Sequence, residues 1–308
     1  MTRNKSAFTL VALLLALLSL SAAAVAPTLT FTFKDVKAPG ATETDSYAIN
    51  NAGTIAGDYV DSSGTQHGMI LSAKGKLTSF DNKICQNTGG VTGSTAVFGI
   101  NKSNAVAGWC LSTKTGLPIG WVYANKKFTT IAFPKAPQTV ATGINDNGDV
   151  VGFFVDSAGT AHGFVYANKK YKQLNVTGAT ETAAWAIDNA GDITVYTGSS
   201  YSSGTVYCPC TSFLFKGKKQ IPISDPNASS YGTVVHAVNN KGDIDGTYYA
   251  SSNTETHGFL LHSGKYYDVE DPNGPSLTRA DGLNDSLTID GRYTPSSGGN
   301  FGFEATTK

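Results

Sequence analysis

A short phrase repeats six times along this chain of 308 residues. It has the form Ile-Asn-x-x-Gly-x-Ile-x-Gly, and its second position is occupied by Asn50, Asn101, Asn145, Asp188, Asn239 and Asn284, at steps of 43 to 51 residues. A second phrase, His-Gly-Phe or a shortened version of it, follows each copy at a nearly constant distance. Six phased copies predict a repeat architecture in which neighbouring units bury a shared core.

Each repeat contains four short strand candidates and no helical periodicity. The Asn-x-x-Gly segment predicts a tight hairpin, because the Asn side chain can bond its own turn and the Gly can take a positive φ. The longest regular connection, as from Ala38 to Ser46, follows the first strand and therefore marks the step to the next blade. The strand at Phe31 to Val36 is then expected to complete the last blade and close the ring.

The residue before each Ile-Asn pair is always small, as Ala48, Gly99, Gly143, Ala186, Ala237 and Gly282. Inner strands crowd around the axis of a propeller, so this pattern favours a closed ring over an open solenoid. The predicted fold is all-β: a six-bladed β-propeller of about 45-residue repeats, closed by the N-terminal strand, in a single domain spanning 25–308.

The first residues have the order of a secretory signal peptide. A positive segment, a charge-free run from Phe8 to Leu20 and a row of small residues predict a signal peptide over 1–24. The expected location is secreted or periplasmic. Four cysteines in an exported chain favour disulfides over a zinc site, and the blade order predicts Cys85 to Cys110 and Cys208 to Cys210. The first bridge is expected to hold the loop from Cys85 to Val97 over the channel mouth.

The charge balance narrows the class of partner. Lys and Arg number 23 and so do Asp and Glu, so nothing steers the chain toward nucleic acid or an anionic membrane. No later apolar segment is long enough to span a membrane. The expected partner is an extracellular glycan or protein, and the expected oligomeric state is a monomer.

The two phrases together resemble the bacterial extracellular repeat family called HAF, named for a His-Ala-Phe triplet in each repeat. Here Gly replaces Ala, and the histidine is present at His67, His162 and His257. The resemblance covers nearly the whole chain after the signal peptide. It implies export and a repeat architecture, and it carries no activity, substrate or catalytic residue.

One position varies while the scaffold around it repeats. It lies just before each Ala or Gly and is occupied by Tyr47, Phe98, Thr142, Trp185, His236 and Asp281. This position should lie at the mouth of the central channel, where aromatic side chains could stack on a sugar ring or a peptide. The alternative is that these side chains fill gaps between blades of slightly different shape.

Metal sites are weighed and not adopted, and no cofactor is predicted. His67, His162 and His257 fall in alternate repeats and could form a three-histidine site, but the favoured explanation is a histidine that bonds a neighbouring strand within each blade. The Asn145-Asp146-Asn147-Gly148-Asp149 segment resembles a calcium loop, but equivalent turns lack its later ligands.

The function that the sequence favours is an exported, non-catalytic binding scaffold. A hydrolase or lyase acting on polysaccharide at the channel mouth is the first alternative, and a structural envelope protein is the second. Two carboxylates facing each other at the mouth would favour the enzyme, because glycoside hydrolysis uses such a pair.

Overall fold

The computed structural model describes residues 29–85, 95–202, 204–251 and 254–308. The predicted signal peptide and most of the loop after Cys85 lie outside the described residues. Within them the chain forms six four-stranded antiparallel sheets and one two-stranded hairpin, without a helix. The prediction of a six-bladed, all-β propeller is confirmed. No helix of the described part has the length and apolarity that a membrane crossing requires.

The blades follow one another along the chain, each with its strands in order from the axis outward. Blade 1 contains β2 (Glu43–Ile49), β3 (Ile55–Val60), β4 (Gln66–Leu71) and β5 (Leu77–Phe80). Blade 2 contains β6 (Ala96–Ile100), β7 (Val106–Leu111), β8 (Pro118–Ala124) and β9 (Lys127–Ile131). Blade 3 contains β10 (Gln138–Ile144), β11 (Val150–Val155), β12 (Ala161–Ala167) and β13 (Lys170–Leu174).

The second half of the ring adds the inserted hairpin. Blade 4 contains β14 (Glu181–Ile187), β15 (Ile193–Gly198), β18 (Thr211–Lys216) and β19 (Lys219–Ile223), with the hairpin strands β16 (Ser200–Ser202) and β17 (Thr205–Tyr207) between β15 and β18. Blade 5 contains β20 (Thr233–Val238), β21 (Ile244–Tyr249), β22 (Thr256–His262) and β23 (Lys265–Val269). Blade 6 contains β24 (Thr278–Leu283), β25 (Ile289–Tyr293), β26 (Phe301–Thr307) and β1 (Phe31–Val36).

The two ends of the described chain meet in blade 6, as the sequence predicts. Strand β1 pairs antiparallel with β26 from Phe31 opposite Thr307 to Val36 opposite Gly302. Phe33 packs edge-on against the buried ring of Phe303, with ring centroids 5.3 Å apart. The outer strand of the last blade therefore comes from the start of the chain, and the ring is closed.

The recurring Gly of the second strand makes room for the recurring aromatic of the third strand. A Cβ atom built on Gly108 would lie 2.0 Å from the carbonyl oxygen of Ala96 and 2.6 Å from the Trp121 ring. Gly291 stands in the same relation to Arg279 and Phe303. The Gly that ends the first repeated phrase and the aromatic residue of the second phrase therefore pack against each other. The absence of a side chain on the glycine leaves room for both the inner strand and the aromatic ring.

The small residues of the inner strands form the narrow waist of the channel. A Cβ atom on Gly99 would lie 2.9 Å from the Cα of Gly143, and one on Gly282 would lie 2.7 Å from the Cα of Ala48. Neighbouring inner strands therefore approach almost backbone to backbone. This contact explains why every repeat has Ala or Gly at the position.

The recurring Asn joins each blade to the next. In its own turn, Asn50 Oδ1 accepts hydrogen bonds from the amides of Ala52 and Thr54, as the sequence predicts. Its Nδ2 donates across the blade boundary to the carbonyl of Asn101, at 3.1 Å. The same cross-blade bond continues around the far end of the channel at Asn101, Asn145, Asn239 and Asn284.

A second ring of bonds lies beside the first and uses the next residue of each turn. The backbone amide of Asp146 donates to Asn189 Oδ1 at 2.9 Å, and that of Asp285 donates to Asn51 Oδ1 at 2.8 Å. Equivalent bonds begin at Lys102, Asn189 and Asn240. The side chain of Lys102 has no acceptor, so it cannot provide the equivalent bond between blades 1 and 2.

The first ring is interrupted at Asp188. Its Oδ1 bonds the turn like an Asn, accepting from the amides of Ala190 and Asp192. An ionised carboxylate has no donor for the carbonyl of Asn239 in the next blade. Burial raises the pKa of Asp188 above its ordinary value, which marks the cost of holding a charge at this position.

We expect the substitution Asp188→Asn to stabilise the ring. The new amide keeps the turn bonds and adds a donor to Asn239, which should raise the free energy of unfolding by about 1 kcal/mol. The reverse change at an intact position, Asn101→Asp, should lower it by about 1 kcal/mol, because the carbonyl of Asn145 loses the Asn101 amide and keeps the amide of Gly148 as its donor. Urea unfolding at neutral pH measures both. A neutral or destabilising Asp188→Asn would show that the missing donor is not what distinguishes this junction.

Removing the closing strand should destabilise the whole ring. Deleting residues 25–37 exposes the edge of β26 and removes Phe31 and Phe33, which contact the core of blade 6. The expected loss is at least about 3 kcal/mol, since burying a Phe side chain contributes about 2 kcal/mol. Thermal unfolding followed by circular dichroism measures the loss, and a chain that begins at residue 29 is the control. An unchanged melting temperature would contradict closure by β1.

Candidate functional site

Each inner strand contains a β-bulge at the position that varies between repeats. The pairing register skips one residue between Ser46 and Ala48 in β2, and equivalent shifts occur in the other five inner strands. The skipped residues are Tyr47, Phe98, Thr142, Trp185 (together with Ala186), His236 and Asp281. A bulged residue is released from the regular alternation of the strand, so its side chain can be turned in a new direction.

Five of these six side chains line one cavity of about 460 Å³ at the mouth of the channel: Tyr47, Phe98, Trp185, His236 and Asp281. Thr142 does not line it. The Thr142 hydroxyl is buried and lies 3.0 Å from the carbonyl oxygen of Ala184, to which it donates. Thr142 therefore fits the alternative interpretation, in which the side chain at this position fills a gap between two blades.

Three aromatic side chains form an arc around the mouth. The ring centroids of Tyr47 and Phe98 are 4.7 Å apart, and those of Phe98 and Trp185 are 5.6 Å apart in an edge-on arrangement. The His236 ring continues the arc at 5.7 Å from Trp185. Because the rings belong to four different blades, the arc exists only in the closed propeller.

Further aromatic side chains, which the sequence did not single out, complete the wall. They belong to second strands and to loops of the mouth face, and they are Trp109, Tyr196, Tyr207, Tyr231 and Tyr249. Tyr207 is 49% exposed and belongs to the inserted hairpin of blade 4. The hairpin turns an open channel mouth into a cavity with a side wall.

The hairpin reaches across blade 3 toward blade 2. The Tyr201 hydroxyl donates to Gln138 Oε1 at 2.6 Å. A Cβ atom on Gly204 would lie 2.4 Å from the Trp109 ring, so only a glycine fits there. The Gly204 amide donates back to the Tyr201 hydroxyl at 2.9 Å. These contacts fix the position of the hairpin over the mouth.

Both predicted disulfides are confirmed. Cys85 and Cys110 are bonded within blade 2, with Cα atoms 5.4 Å apart, and Cys208 and Cys210 are bonded with Cα atoms 4.3 Å apart. Cys208 lines the cavity next to the hairpin. The segment 86–94, which the sequence places over the mouth, lies outside the described residues.

A charged group occupies the blade 6 side of the cavity. Of the three arginines in the chain, Arg279 and Arg292 are the two within the described residues, and both line the cavity. Asp281 lies between them, 3.8 Å from Arg279 Nε and 3.5 Å from Arg292 Nη1. Arg292 also stacks over the Tyr47 ring, with its guanidinium carbon 4.5 Å from the ring centroid. The sequence analysis missed this group, and the scarcity of arginine is the sequence feature that could have indicated it.

The electrostatics of this group leave His236 neutral and Asp281 ionised. Burial lowers the pKa of His236 to about 4. Its Nδ1 lies 2.7 Å from the carbonyl oxygen of Ala280, to which it donates, and its Nε2 accepts from Arg279 at 3.3 Å. Burial alone would raise the pKa of Asp281, but the charges of Arg292 and Arg279 outweigh it and hold that pKa below its ordinary value.

The three histidines of the second phrase are each bonded within their own blade. His67 Nδ1 is 3.0 Å from Asp81 Oδ1, His162 Nε2 is 3.0 Å from Asp156 Oδ2, and His257 Nδ1 is 2.6 Å from Glu270 Oε1. These contacts agree with the alternative in which each histidine bonds a neighbouring strand. In the part of the chain that the structure describes, no cluster of three or more His, Cys, Asp or Glu has the geometry of a metal site.

The segment that resembles a calcium loop forms the hairpin turn. Asn145 Oδ1 accepts from the amides of Asn147 and Asp149, and Asn145 Nδ2 lies 3.2 Å from Asp149 Oδ2. Equivalent turn bonds occur at Asn50, whose turn lacks these carboxylates. The hydrogen bonds of the hairpin turn therefore explain why Asn and Asp residues occur in this segment.

No protein-family model matches the chain, and no curated protein matches it. Solved structures resemble it. A variant of the Aleuria aurantia lectin in complex with Fucα1-6GlcNAc is 11% identical with a TM-score of 0.53, over 91% of this chain and 94% of that one. A mutant of AofleA from Arthrobotrys oligospora is 11% identical with a TM-score of 0.51, over 89% and 86%. A fungal lectin from Aleuria aurantia, described as a six-bladed β-propeller, is 10% identical with a TM-score of 0.51, over 84% and 89%. At these identities the likeness shows the fold.

We expect His236 to make the protein less stable in acid. Between about pH 6.5 and the folded pKa of about 4, the unfolded chain binds a proton at this residue and the folded chain does not. Relative to His236→Asn, the wild type should therefore lose stability as the pH falls through this window, by up to about 3 kcal/mol. Above about pH 6.5 the difference between the two proteins should be constant.

Urea unfolding at a series of pH values measures this difference. The buried carboxyls of Asp45 and Asp58 are present in both proteins, so their titration contributes to both curves. Asp281 Oδ1 lies 3.2 Å from His236 Nδ1, but its pKa is held low chiefly by Arg292 and Arg279, which both proteins retain. Parallel curves from pH 7 to pH 4 would mean that His236 is protonated in the folded state.

Proposed function

We propose that this protein is an exported, non-catalytic scaffold that binds a glycan in the cavity at the mouth of the propeller. One observation carries the proposal. The bulged positions of the inner strands bring Tyr47, Phe98 and Trp185 together in an arc that lines a cavity of about 460 Å³. A cavity of this size can hold a monosaccharide or disaccharide unit.

The chemistry of the wall suits a sugar. The apolar C–H face of a pyranose ring packs against an aromatic ring, and its hydroxyls need polar partners at the edge of that contact. Here the arc supplies the aromatic surface, while Arg279, Asp281 and Arg292 supply donors and acceptors beside it. Solved lectins with the same fold, including one in complex with Fucα1-6GlcNAc, support glycan as the ligand class.

The carboxyl groups of the mouth favour binding over hydrolysis. Among the described residues that line the cavity, Asp281 is the single carboxylate, and it is paired with two arginines. Asp58 and Asp245 are buried in β3 and β21 and do not line the cavity. Glycoside hydrolysis needs two opposed carboxyl groups on either side of the scissile bond.

Export is part of the proposal. Two disulfides and the predicted signal peptide support a location outside the cytoplasm, because disulfides persist in oxidising compartments. The resemblance to the HAF repeat family supports the same location.

A glycan array with the mature domain tests the proposal, followed by calorimetric titration of the best ligand. Tyr207→Ala should weaken binding by about 5- to 30-fold, corresponding to about 1 to 2 kcal/mol, because it removes a stacking surface. Since Tyr207 is 49% exposed, this change leaves no cavity in the core. Trp185→Ala should weaken binding at least as much, and Trp185→Phe should recover part of it.

Tyr267→Ala is the matched control. Tyr267 is a partly exposed aromatic residue of the outer strand β23 and does not line the cavity. Its removal should leave glycan affinity unchanged. If no glycan binds, or if Tyr207→Ala and Trp185→Ala bind as tightly as the wild type, the mouth is not a glycan site.

A further inference from the structure

We infer that the ligand of this cavity is an acidic oligosaccharide, held by a sugar carboxylate between Arg279 and Arg292. The inference rests on the proposed function and names the substrate class of the same site. It starts from the pairing register of blade 6, where Arg279 of β24 lies directly opposite Arg292 of β25. Like charges directly opposite each other on neighbouring strands destabilise a sheet.

The protein neutralises this pair incompletely. Asp281 is the one acidic residue that lines the cavity beside them, at 3.8 Å from Arg279 Nε and 3.5 Å from Arg292 Nη1. These separations are longer than charge-assisted hydrogen bonds. Arg279 Nε and Arg292 Nη1 are also buried and have no hydrogen-bond partner within the described part of the protein. His236 is neutral, so the described lining residues carry two positive charges against one negative charge. Behind the lining, Asp45 lies 3.8 Å from Arg292 Nε, and burial raises the pKa of that carboxyl above its ordinary value.

The two guanidinium groups are held in place before any ligand binds. Arg292 stacks on Tyr47 at 4.5 Å and lies 3.8 Å from Asp45 Oδ1. Arg279 is held by its contact with His236 Nε2 at 3.3 Å. A planar guanidinium with open N–H donors matches the planar, singly charged carboxylate better than it matches a neutral hydroxyl.

A second cavity indicates that the ligand extends beyond one sugar. This cavity of about 510 Å³ shares Arg279, Arg292 and Tyr249 with the first and continues outward to Thr256, Thr294 and Asn300. The two spaces therefore meet at the arginines. A sugar ring stacked in the aromatic arc would place its neighbour's carboxylate at the junction, and the next residues would follow the polar second cavity.

Calorimetric titration with matched pairs of tetrasaccharides tests the inference. The probes are three acidic tetramers: galacturonate, mannuronate, and a copolymer in which glucuronate alternates with N-acetylglucosamine. Each is compared with its carboxyl-reduced form and with a sulfated derivative of that reduced form. At least one acidic tetramer should bind about tenfold or more tightly than its reduced form, since about 1.4 kcal/mol corresponds to tenfold. This preference should shrink when salt is raised from about 50 mM to about 500 mM, because salt screens the partly exposed arginines.

The variant Arg279→Gln separates binding from folding. The side chain of Arg279 is 33% exposed. Its removal relieves the repulsion with Arg292 and leaves Asp281 paired with Arg292 at 3.5 Å, so the melting temperature should change little. Affinity for the acidic tetramer should fall about tenfold, while affinity for its reduced form should change little. Arg279→Lys should recover part of the loss. Lys172→Gln, which removes an exposed charge from the outer strand β13, is the matched control and should bind like the wild type.

The failure of this inference is distinct from the failure of the proposed function. Equal affinity for acidic and reduced tetramers, or an equal loss for both in Arg279→Gln, overturns the acidic ligand while glycan binding stands. Preference for a sulfated tetramer over every carboxylated one overturns the carboxylate. If neither charged nor neutral glycans bind, both the inference and the proposed function are wrong.

Discussion

The closed ring depends on one recurring asparagine, whose side-chain amide forms hydrogen bonds in two neighbouring blades. In five of the six repeats, an Asn accepts hydrogen bonds within its own hairpin through Oδ1 and donates to the next blade through Nδ2. The same group therefore shapes the turn and fixes the rotation between blades. Because these repeated bonds lie at the far end of the channel, the positions at the mouth can carry side chains that differ from blade to blade.

The crowding of the inner strands has a direct consequence for the site. Strands that nearly touch at Gly99 and Gly143 leave no space for side chains at the waist. A bulge immediately before each small residue releases one side chain toward the wider mouth. The narrow waist excludes large side chains, and the bulge beside it turns one side chain of each blade toward the mouth. The two features together give six variable positions on a repeated scaffold. Five of the six side chains line the cavity, while Thr142 bonds the neighbouring blade instead.

The sequence predicted what depends on local chemistry and spacing. Blade number, hairpins, closure and both disulfides follow from turn residues, loop lengths and the phase of the repeats. The ring of variable positions was found because variation within a repeating scaffold is visible in a single sequence. The hairpin near Tyr207 and its contact with Trp109 were not predicted, since they join residues from different blades through an insertion that the other repeats lack. Arg279 and Arg292 were missed because they face each other only through the pairing register of β24 and β25. The alternation of polar and apolar residues along a strand does not reveal that register.

The interruption at Asp188 distinguishes the junction of blades 4 and 5 from the other five junctions at the far end of the channel. Between blades 4 and 5 the first ring lacks its amide bond, and the contact from Asn189 to Asn240 remains. Between blades 1 and 2, where the second ring is broken, Asn50 bonds both Asn101 and Asn104. Across the junction of blades 4 and 5, Ser212 Oγ donates to the carbonyl of Thr233 at 2.7 Å and accepts from the amide of Val235 at 3.2 Å, so these two blades stay hydrogen-bonded nearer the mouth. Trp185 and His236 lie on opposite sides of that junction. A ligand that contacts both side chains would bridge blades 4 and 5, so binding at the mouth would stabilise the closed ring.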